Sequence, residues 1–437
     1  MPKTSAARKR NSPKRPMKVL YVCPFAHYPG HFSWAATRET GALKKAGVNV
    51  RLLTFCGAID ADEVEVPQHI VLSDSGLGKL IMKSFAMLRK NAITRWMLMS
   101  FETFLTVVTA IRLKKKLAID VIHLRDGEPY IFLSHFLSLP FKDYNWLISL
   151  TASNIYPPTE IKSKKLLVYT TAVRIVNSKM WRPLYIWSLE RNRFLFAVQN
   201  SMAQMDYSSY MGGVFGGRVE CLPVGTGKAT EVISKEKARR HLGLPQNKPL
   251  LLAFGAPHSG KDMETVFSAL KDMPEVYFVH AGSQVFGLGV NLEDVARDYI
   301  DTDRMSIRNY YIPEAEKPYY FFAADAVILS YTRQFLSTSS LLWEACRFGT
   351  PVIASDNGQL KELMMAFHPG LLFSAQDTNS LRQAIIRFTK LKPGEIEDLK
   401  ANCHKFAHEF SMDKWARRCL KIYHRLLTDN TFGNRQV

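Results

Sequence analysis

Short apolar runs alternate with helix-length amphipathic stretches along most of the chain, and this alternation is the feature that most limits its fold. KVLYVC at 18–23 is followed by a loop, a helical pattern at 33–45 and a second apolar run at 48–55. A strand, a helix and a strand in such quick succession form a βαβ unit, whose strands must be parallel. The pattern continues into the second half, so the sequence predicts doubly wound α/β sheets.

The alternation falls into two series of similar length, which indicates two domains. We expect a first Rossmann-like domain at 17–227 and a second at 228–411, linked by the Gly/Thr turn at 225–227. The basic segment 1–16 lacks apolar periodicity and is predicted to be disordered, and a last helix lies within 412–437. In open α/β sheets ligands bind beside the carboxyl ends of strands, so the chemistry is expected in the loops that follow them.

Several protein classes are disfavoured by what the sequence lacks. It has no apolar run long enough for a membrane span, and residues 1–16 have no hydrophobic core of the kind that a secretory signal carries. The six cysteines are scattered singly, which argues against a disulfide framework, and no His, Cys and Asp cluster has metal-ligand spacing. We therefore expect a cytoplasmic protein with no metal and no cofactor.

The formal net charge of +19 is concentrated in three segments. These are 1–16, 79–116 and 162–193, and the latter two mix cations with aromatic and aliphatic side chains. Such a mixture suits helices on an anionic membrane surface, and it equally suits amphipathic core helices with basic outer faces. Nucleic acid is disfavoured as a partner because no recognition motif accompanies the charge.

One loop matches the phosphate-binding pattern G-x-x-x-x-G-K in the strand–turn–helix setting that this pattern requires. It runs from Gly255 to Lys261, and Asp262 follows where a Ser or Thr would hold Mg²⁺. A carboxylate there opposes a triphosphate, so we favour a diphosphate site made of Lys261 and the helix N-terminus over an ATP or GTP site. The alternative is a solvated lysine in the first turn of a helix.

A second constellation follows the apolar run DAVILS at 325–330. A helix is predicted to begin near Ser339, and its first amides, with the hydroxyls of Ser339 and Ser340, would bind phosphate oxygens. Glu344 lies one turn further along, where a carboxylate can accept hydrogen bonds from both hydroxyls of a ribose. The alternative is a helix cap at Ser339 and an ordinary surface acid at Glu344.

Titratable residues also follow strands of the first domain. His27 and His31 lie in the loop after the first strand, and we expect His31 to face the site, either in catalysis or in orienting an acceptor. Asp126 and Glu128 follow the strand DVIHL, where they are either acceptor contacts or turn acids. His123, inside that strand, is predicted to be a packed histidine.

The motifs of the second half occur in a fixed order: Phe254-Gly255…Lys261, Ala323-Ala324-Asp325…Tyr331, Ser339-Ser340…Glu344-Ala345, Gly349-Thr350-Pro351-Val352-Ile353-Ala354 and Asn357-Gly358…Glu362. They resemble the donor half of a GT-B glycosyltransferase, specifically the family-4-like retaining branch. The first half resembles the same fold through its opening strand and its Pro29-Gly30-His31 loop. The resemblance implies two Rossmann-like domains facing a cleft, with the last helix crossing back to the first domain.

The resemblance also implies an activity, the transfer of a sugar from a UDP- or GDP-sugar to a lipid-linked, polysaccharide or other acceptor, without metal and with retention. Lys261 would contact the donor diphosphate, Glu344 would hold the ribose, and Gly30 would let backbone approach the donor. The other donor-side positions that it implies are Gly255, His258, Arg333, Ser339, Ser340, Asn357 and Gly358.

Three features depart from the family pattern. Ala256 and His258 stand where an arginine is usual, Leu336 replaces the first of two glutamates, and Asn357 replaces the first of two glycines. These departures keep two alternatives open. One is an epimerase or hydrolase of the same fold that acts on the nucleotide sugar alone, and the other is a membrane-associated scaffold with a degenerate donor site.

Overall fold

The computed structural model describes two parallel β-sheets with helices between their strands, which confirms the predicted fold class. The described residues are 15–28, 31–58, 61–72, 92–126, 144–150, 193–211, 217–227, 231–258, 260–283, 291–335 and 338–429. They form two compact units, one from the described parts of 1–149, 188–194 and 423–437, the other from those of 150–187 and 195–422.

The first sheet has seven strands in the order β3-β2-β1-β4-β5-β6-β7. They are β1 (Lys18–Cys23), β2 (Asn49–Thr54), β3 (Gln68–Ile70), β4 (Val121–Leu124), β5 (Asn145–Leu150), β6 (Arg193–Val198) and β7 (Val219–Cys221). Every residue from Val19 to Cys23 is fully buried. A central parallel strand is covered on both faces, which is why its sequence is continuously apolar rather than alternating.

The described helices of the first half are α1 (His31–Trp34), α2 (Thr40–Lys45), α3 (Ala92–Leu117) and α4 (Ser201–Met211). The single helix predicted at 33–45 is therefore divided into two, α1 and α2. Between α1 and α2 lies a π-helical turn, Ala35–Glu39, which shifts the register of the helix and leaves Glu39 only 2% exposed. Such turns are rare and are found mostly at functional sites.

The second sheet has six strands in the order β10-β9-β8-β11-β12-β13. They are β8 (Leu250–Phe254), β9 (Tyr277–Ala281), β10 (Met305–Arg308), β11 (Ala326–Leu329), β12 (Val352–Ser355) and β13 (Gly370–Phe373). The helices that accompany them are α5 (Lys235–Leu242), α6 (Met263–Leu270), α7 (Leu292–Arg297), α8 (Lys317–Ala323), α9 (Ser340–Arg347), α10 (Gly358–Phe367), α11 (Thr378–Thr389), α12 (Pro393–Glu409) and α13 (Met412–Thr428). One apolar core joins this sheet to α6, α7 and α11.

Each sheet has one point at which the strand order reverses. In the first sheet it lies between β1 and β4, and in the second between β8 and β11. Ligands of open α/β sheets bind at such points, beside the carboxyl ends of the strands. Within the described part of the chain, no helix combines the length and apolarity that a bilayer crossing needs.

Candidate functional site

Lys261 lies at the switch point of the second sheet, in the loop between β8 and α6. Its Nζ donates hydrogen bonds to the backbone oxygens of Phe254, at 2.6 Å, and Gly255, at 3.2 Å. Among the described residues no carboxylate lies within ion-pair distance of Nζ. An ammonium group has three donors, so one N–H remains for a ligand. The two carbonyl oxygens therefore fix the ammonium group in position, and no carboxylate of the described residues neutralises its charge.

Two glycines at these strand ends, Gly255 and Gly282, occupy positions that a side chain would strain or obstruct. Gly255 has φ +79°, which side chains rarely adopt, and a Cβ there would lie 3.6 Å from the Lys261 Nζ. A Cβ on Gly282, at the end of β9, would lie 2.6 Å from the Gly255 backbone. Only residues without side chains therefore allow the two strand ends to approach so closely.

Backbone hydrogen bonds tie the Lys261 loop to the segment after β11. Lys261 and Tyr331 form a bridge, Thr332 N donates to Gly260 O at 2.9 Å, and Asp262 N donates to Ser330 O at 3.0 Å. The loops that leave the two switch-point strands are thereby fixed to each other, which holds the Lys261 side chain at this edge.

Asp262 occupies the N-terminus of α6 with its own carboxylate. Its Oδ1 accepts a hydrogen bond from Thr265 N at 3.2 Å, as an N-cap residue does. The expected contribution of this helix end to a diphosphate site is thus opposed by a negative charge. The ammonium of Lys261, and not the helix N-terminus, is the group here that suits an anion.

Two histidines near Lys261 are neutral at ordinary pH. Burial and the charge of Lys261 lower the pKa of His258 to about 4 and that of His280 to about 3. Burial lowers the pKa of Lys261 itself to about 8, because desolvation disfavours its charged form. At pH 7 the two imidazoles are therefore uncharged while Lys261 is largely protonated.

The predicted serines lie at the N-terminus of α9. Ser339 is its N-cap residue and is 6% exposed, and its Oγ lies 2.7 Å from the hydroxyl of Tyr331. The side chain of Ser339 does not cap the helix amides, and Ser340 is exposed. The ring of Phe335 stacks on Tyr331 at 4.1 Å. The first amides of α9 therefore have no side-chain cap. They lie next to the hydroxyls of Tyr331 and Ser339, which hydrogen-bond to each other.

Two further donor-side residues brace this loop by hydrogen bonds to backbone oxygens. Asn357 Nδ2 donates to Thr332 O at 3.1 Å and to Phe335 O at 2.7 Å. Arg333 is exposed, and its Nε donates to Ala375 O at 3.2 Å. The motif at Asn357-Gly358 is not an isolated turn, because Asn357 is the N-cap residue of α10 and Gly358 is its first residue.

Glu344 lies one turn into α9, and two cations contact its carboxylate. Oε2 is 3.5 Å from Lys317 Nζ and 3.3 Å from Arg347 Nη1, and the side chain is 17% exposed. Glu314 pairs with the same two cations. Lys317 and Arg347 hold the carboxylate in position. Arg347 lies three residues further along α9, whereas Lys317 comes from α8, which is remote in sequence, so its place beside Glu344 was not predicted.

At the switch point of the first sheet, a buried ion-pair network follows β4. The Arg125 guanidinium contacts Glu39 Oε1 at 3.3 Å and Asp126 Oδ1 at 2.9 Å, and the hydroxyl of Tyr21 donates to Glu39. Each of these four side chains is almost entirely buried. Burial raises the pKa of Glu39, and the guanidinium opposes that shift. Asp126 has φ +56°, which indicates local strain at this strand end.

The predicted His27 lies at the same switch point, after β1. Its Nε2 is 3.6 Å from Oε2 of Glu102, a fully buried residue of α3, and the hydroxyl of Tyr28 donates to the same carboxylate. His123 is packed within β4 as predicted, since it is fully buried with its ring nitrogens 2.7 Å from the Tyr423 hydroxyl and 2.6 Å from Ser149 Oγ.

The sequence matches a known family over the second half of the chain. Residues 234–409 match the family model of glycosyl transferases group 1. These residues form a glycosyl transferases group 1 domain, and the chain has the GT-B fold of glycosyltransferases. Among curated proteins no sequence matches it.

Solved structures show the fold of this glycosyltransferase over nearly its whole length. A sucrose-phosphate synthase from Thermosynechococcus elongatus is 18% identical with a TM-score of 0.66, covering 94% of this chain and 99% of that one. HepE from Anabaena, in complex with UDP-glucose, is 14% identical with a TM-score of 0.61, covering 93% and 99%. WaaG, a glycosyltransferase involved in lipopolysaccharide biosynthesis, is 13% identical with a TM-score of 0.59, covering 94% and 100%.

Some predicted positions of the glycosyltransferase lie outside the described residues. These are Gly30, Glu128 and the departing position Leu336, together with the side chain of His31, whose backbone begins α1. The same holds for 79–91 and 162–192 of the basic segments. Within the described residues no group of three His, Cys, Asp or Glu side chains has the arrangement of a metal site.

Proposed function

We propose that this glycosyltransferase moves a sugar from a nucleotide-sugar donor, bound at the switch point of the second sheet, to an acceptor hydroxyl. The acceptor, lipid-linked or polysaccharide in class, binds at the switch point of the first sheet. The reaction retains configuration and uses no metal. The protein works in the cytoplasm, peripherally on the membrane.

The observation that carries this proposal is the un-neutralised ammonium of Lys261. A nucleoside diphosphate leaves the sugar with negative charge developing on its phosphate oxygens, and a preorganised cation at that point lowers the barrier. Lys261 is held by two carbonyls and keeps one N–H for such an oxygen. With a pKa of about 8, about nine-tenths of the side chain is charged at pH 7.

The nucleoside part of the donor has a matching set of groups along α9. The carboxylate of Glu344, held by Lys317 and Arg347, is an acceptor for ribose hydroxyls, and the first amides of α9 suit phosphate oxygens. HepE, which shares the fold, has been crystallised with UDP and with UDP-glucose. UDP is therefore the first nucleotide to test, with GDP as the second.

The acceptor side is proposed from the chemistry of the first switch point. A carboxylate at Asp126 and an imidazole at His27 are groups that accept hydrogen bonds from sugar hydroxyls. Arg125 and Glu102 hold them in place. His31 is the third candidate on the sequence argument alone.

The test is a thermal-shift panel with UDP, GDP, ADP and ATP, each with Mg²⁺ and with EDTA, followed by product analysis with UDP-glucose. Selective stabilisation by UDP or GDP that survives EDTA supports the donor site, since a ligand raises the unfolding midpoint by mass action. A response to Mg·ATP alone would instead favour a phosphate loop. Altered or hydrolysed UDP-glucose without acceptor identifies an epimerase or hydrolase, and a flat panel identifies a degenerate site.

A further inference from the structure

Arg333 lies in the loop that follows β11, beside the loop of Lys261, and its side chain is exposed. Lys261 forms a backbone bridge with Tyr331, and Thr332 N donates to Gly260 O at 2.9 Å. Arg333 is the next residue after this contact. It therefore stands at the switch point of the second sheet, at the same edge as Lys261.

Two hydrogen bonds fix Arg333 to the loop that follows β13. Its Nε donates to Ala375 O and its backbone N donates to Gln376 Oε1, both at 3.2 Å. Gln376 has φ +59°, a strained conformation that persists only where surrounding contacts hold it. Exposed long side chains ordinarily sample many rotamers, so these bonds orient the guanidinium before a ligand binds.

The Arg333 guanidinium keeps most of its hydrogen-bonding capacity. Of its five N–H donors, the one on Nε has a partner among the described residues. Asp356 and Asp377, which lie beside its anchoring residues, accept hydrogen bonds from backbone amides. No described carboxylate lies within ion-pair distance of Arg333. Its Nη1 and Nη2 thus form an open fork, whose geometry suits a carboxylate through two parallel hydrogen bonds.

Lys261 and Arg333 are thus two cations on linked loops, and no described carboxylate pairs with either. Under the proposed function, on which this inference rests, Lys261 takes the diphosphate of the donor. A second anionic group on the donor would then suit Arg333. The uracil or guanine base and the ribose are uncharged, so that group would belong to the transferred sugar.

We propose that the donor sugar is a uronic acid, whose carboxylate binds the guanidinium fork of Arg333. A uronic acid differs from the corresponding hexose by a carboxylate in place of the C6 hydroxymethyl group. A hydroxyl offers one neutral oxygen, whereas a carboxylate offers two oxygens and the complementary charge. Arg333 therefore determines specificity for the sugar, while Lys261 holds the part that all donors share.

The experiment is a set of calorimetric titrations of the full chain in EDTA with UDP, UDP-glucose and UDP-glucuronate. The two sugar nucleotides differ only at C6. The wild type should bind UDP-glucuronate at least about tenfold more tightly than UDP-glucose, as expected for hydrogen bonds between charged groups. If the chain binds GDP instead of UDP, GDP-mannose and GDP-mannuronate form the equivalent pair.

Three variants locate the preference. Arg333→Gln should bind the two sugar nucleotides equally and keep the wild-type affinity for UDP, because Lys261 still contacts the diphosphate. Arg333→Lys keeps the charge without the fork and should retain only part of the preference. Arg387→Gln, at an exposed position in the last turn of α11, removes the same charge and should bind as the wild type does. Thermal unfolding checks that all three are folded.

Three results would overturn the assignment of Arg333 and leave the donor site intact. One is equal binding of UDP-glucuronate and UDP-glucose by the wild type. A second is an Arg333→Gln variant that loses affinity for UDP as strongly as for UDP-glucuronate, which would assign Arg333 to the diphosphate. The third is a full preference in Arg333→Lys, which would exclude the fork. Failure of the wild type to bind UDP, GDP or any of these sugar nucleotides would instead refute the proposed function itself.

Discussion

The switch points of the two sheets share a topology and differ in electrostatics. At the second sheet, the described partners of Lys261 are backbone oxygens, and its charge is not neutralised. At the first sheet, the Arg125 charge is matched by Glu39 and Asp126. The same topology thus provides a candidate binding edge in both sheets, while individual side chains decide which charge a ligand there would need. An anion suits the second edge and a neutral, hydroxyl-rich group the first.

The largest expected effect comes from removing the charge of Arg125, which is paired with Glu39 and Asp126 at the switch point of the first sheet. Arg125→Met leaves Glu39 and Asp126 as buried carboxylates without compensation, which should lower the free energy of unfolding by about 3–5 kcal/mol. Urea denaturation measures it. Arg297→Met, which removes an exposed pair with Glu293, is the control and should lower it by about 1 kcal/mol or less. Equal losses in the two variants would contradict the buried-network interpretation.

Removing the charge of Lys261, at the switch point of the second sheet, should lower the rate of catalysis without lowering the stability of the fold. Lys261→Met should lower kcat/KM by about 100-fold, since a charge aimed at the leaving group is lost. The unfolding midpoint should stay constant or rise, because a buried unpaired cation is costly. Steady-state kinetics with thermal unfolding tests both halves of this expectation. Lys271→Met, at an exposed position, is the control, and a Lys261→Met enzyme with normal turnover would remove Lys261 from the mechanism.

A smaller effect is expected within the ion-pair cluster of α8 and α9. Glu344→Gln should raise the KM for the nucleotide sugar about tenfold, because an uncharged amide accepts weaker hydrogen bonds from the ribose. Glu314→Gln is the matched control, since Glu314 pairs with the same Lys317 and Arg347. Donor titrations of both variants separate the two roles, and identical KM values for them would assign Glu344 to structure alone.

The smallest expected effect is a pH dependence that belongs to the second edge only. Burial lowers the pKa of Lys261 to about 8, so raising the pH through 8 removes the charge and should weaken UDP binding. Between pH 7 and 8.5 the protonated fraction falls about fourfold, and the affinity should fall by up to that factor. Calorimetric titrations measure it. The Lys261→Met variant should show no such dependence. If the affinity of the wild type for UDP stays unchanged up to pH 9, the assignment is contradicted.

Local sequence patterns predicted most elements of the second domain closely. The sequence pattern is helical at 262–271 and at 379–390, and the structure has α6, Met263–Leu270, and α11, Thr378–Thr389, at these places. Both have apolar residues at helical spacing and an aspartate N-cap at the first turn. The helix α12, Pro393–Glu409, was not predicted, because few apolar residues mark its buried side and Cys403 and Phe406 are its only residues classed as buried.

The candidate site was less predictable, because its partners come from distant parts of the chain. The position of Lys261 after a strand followed from the loop pattern. The loop pattern did not predict that backbone oxygens would hold Lys261, or that the Asp262 side chain would cap the N-terminus of α6. Glu39 and Arg125 are 86 residues apart, and Glu39 joins the network from the last residue of a π-helical turn. No local sequence pattern predicts a contact between residues so far apart in the chain.

The two series of strands and helices, and with them the parallel sheets and the places where the strand order reverses, follow from local patterns in the amino-acid sequence. This is possible because burial on both faces of a parallel sheet demands uninterrupted apolar runs, which are visible in one dimension. Which charges are paired with opposite charges, and how α3 is oriented, became visible from the three-dimensional contacts alone. Both depend on contacts between residues remote in sequence, such as those of the buried Glu102 of α3 with His27 and Tyr28.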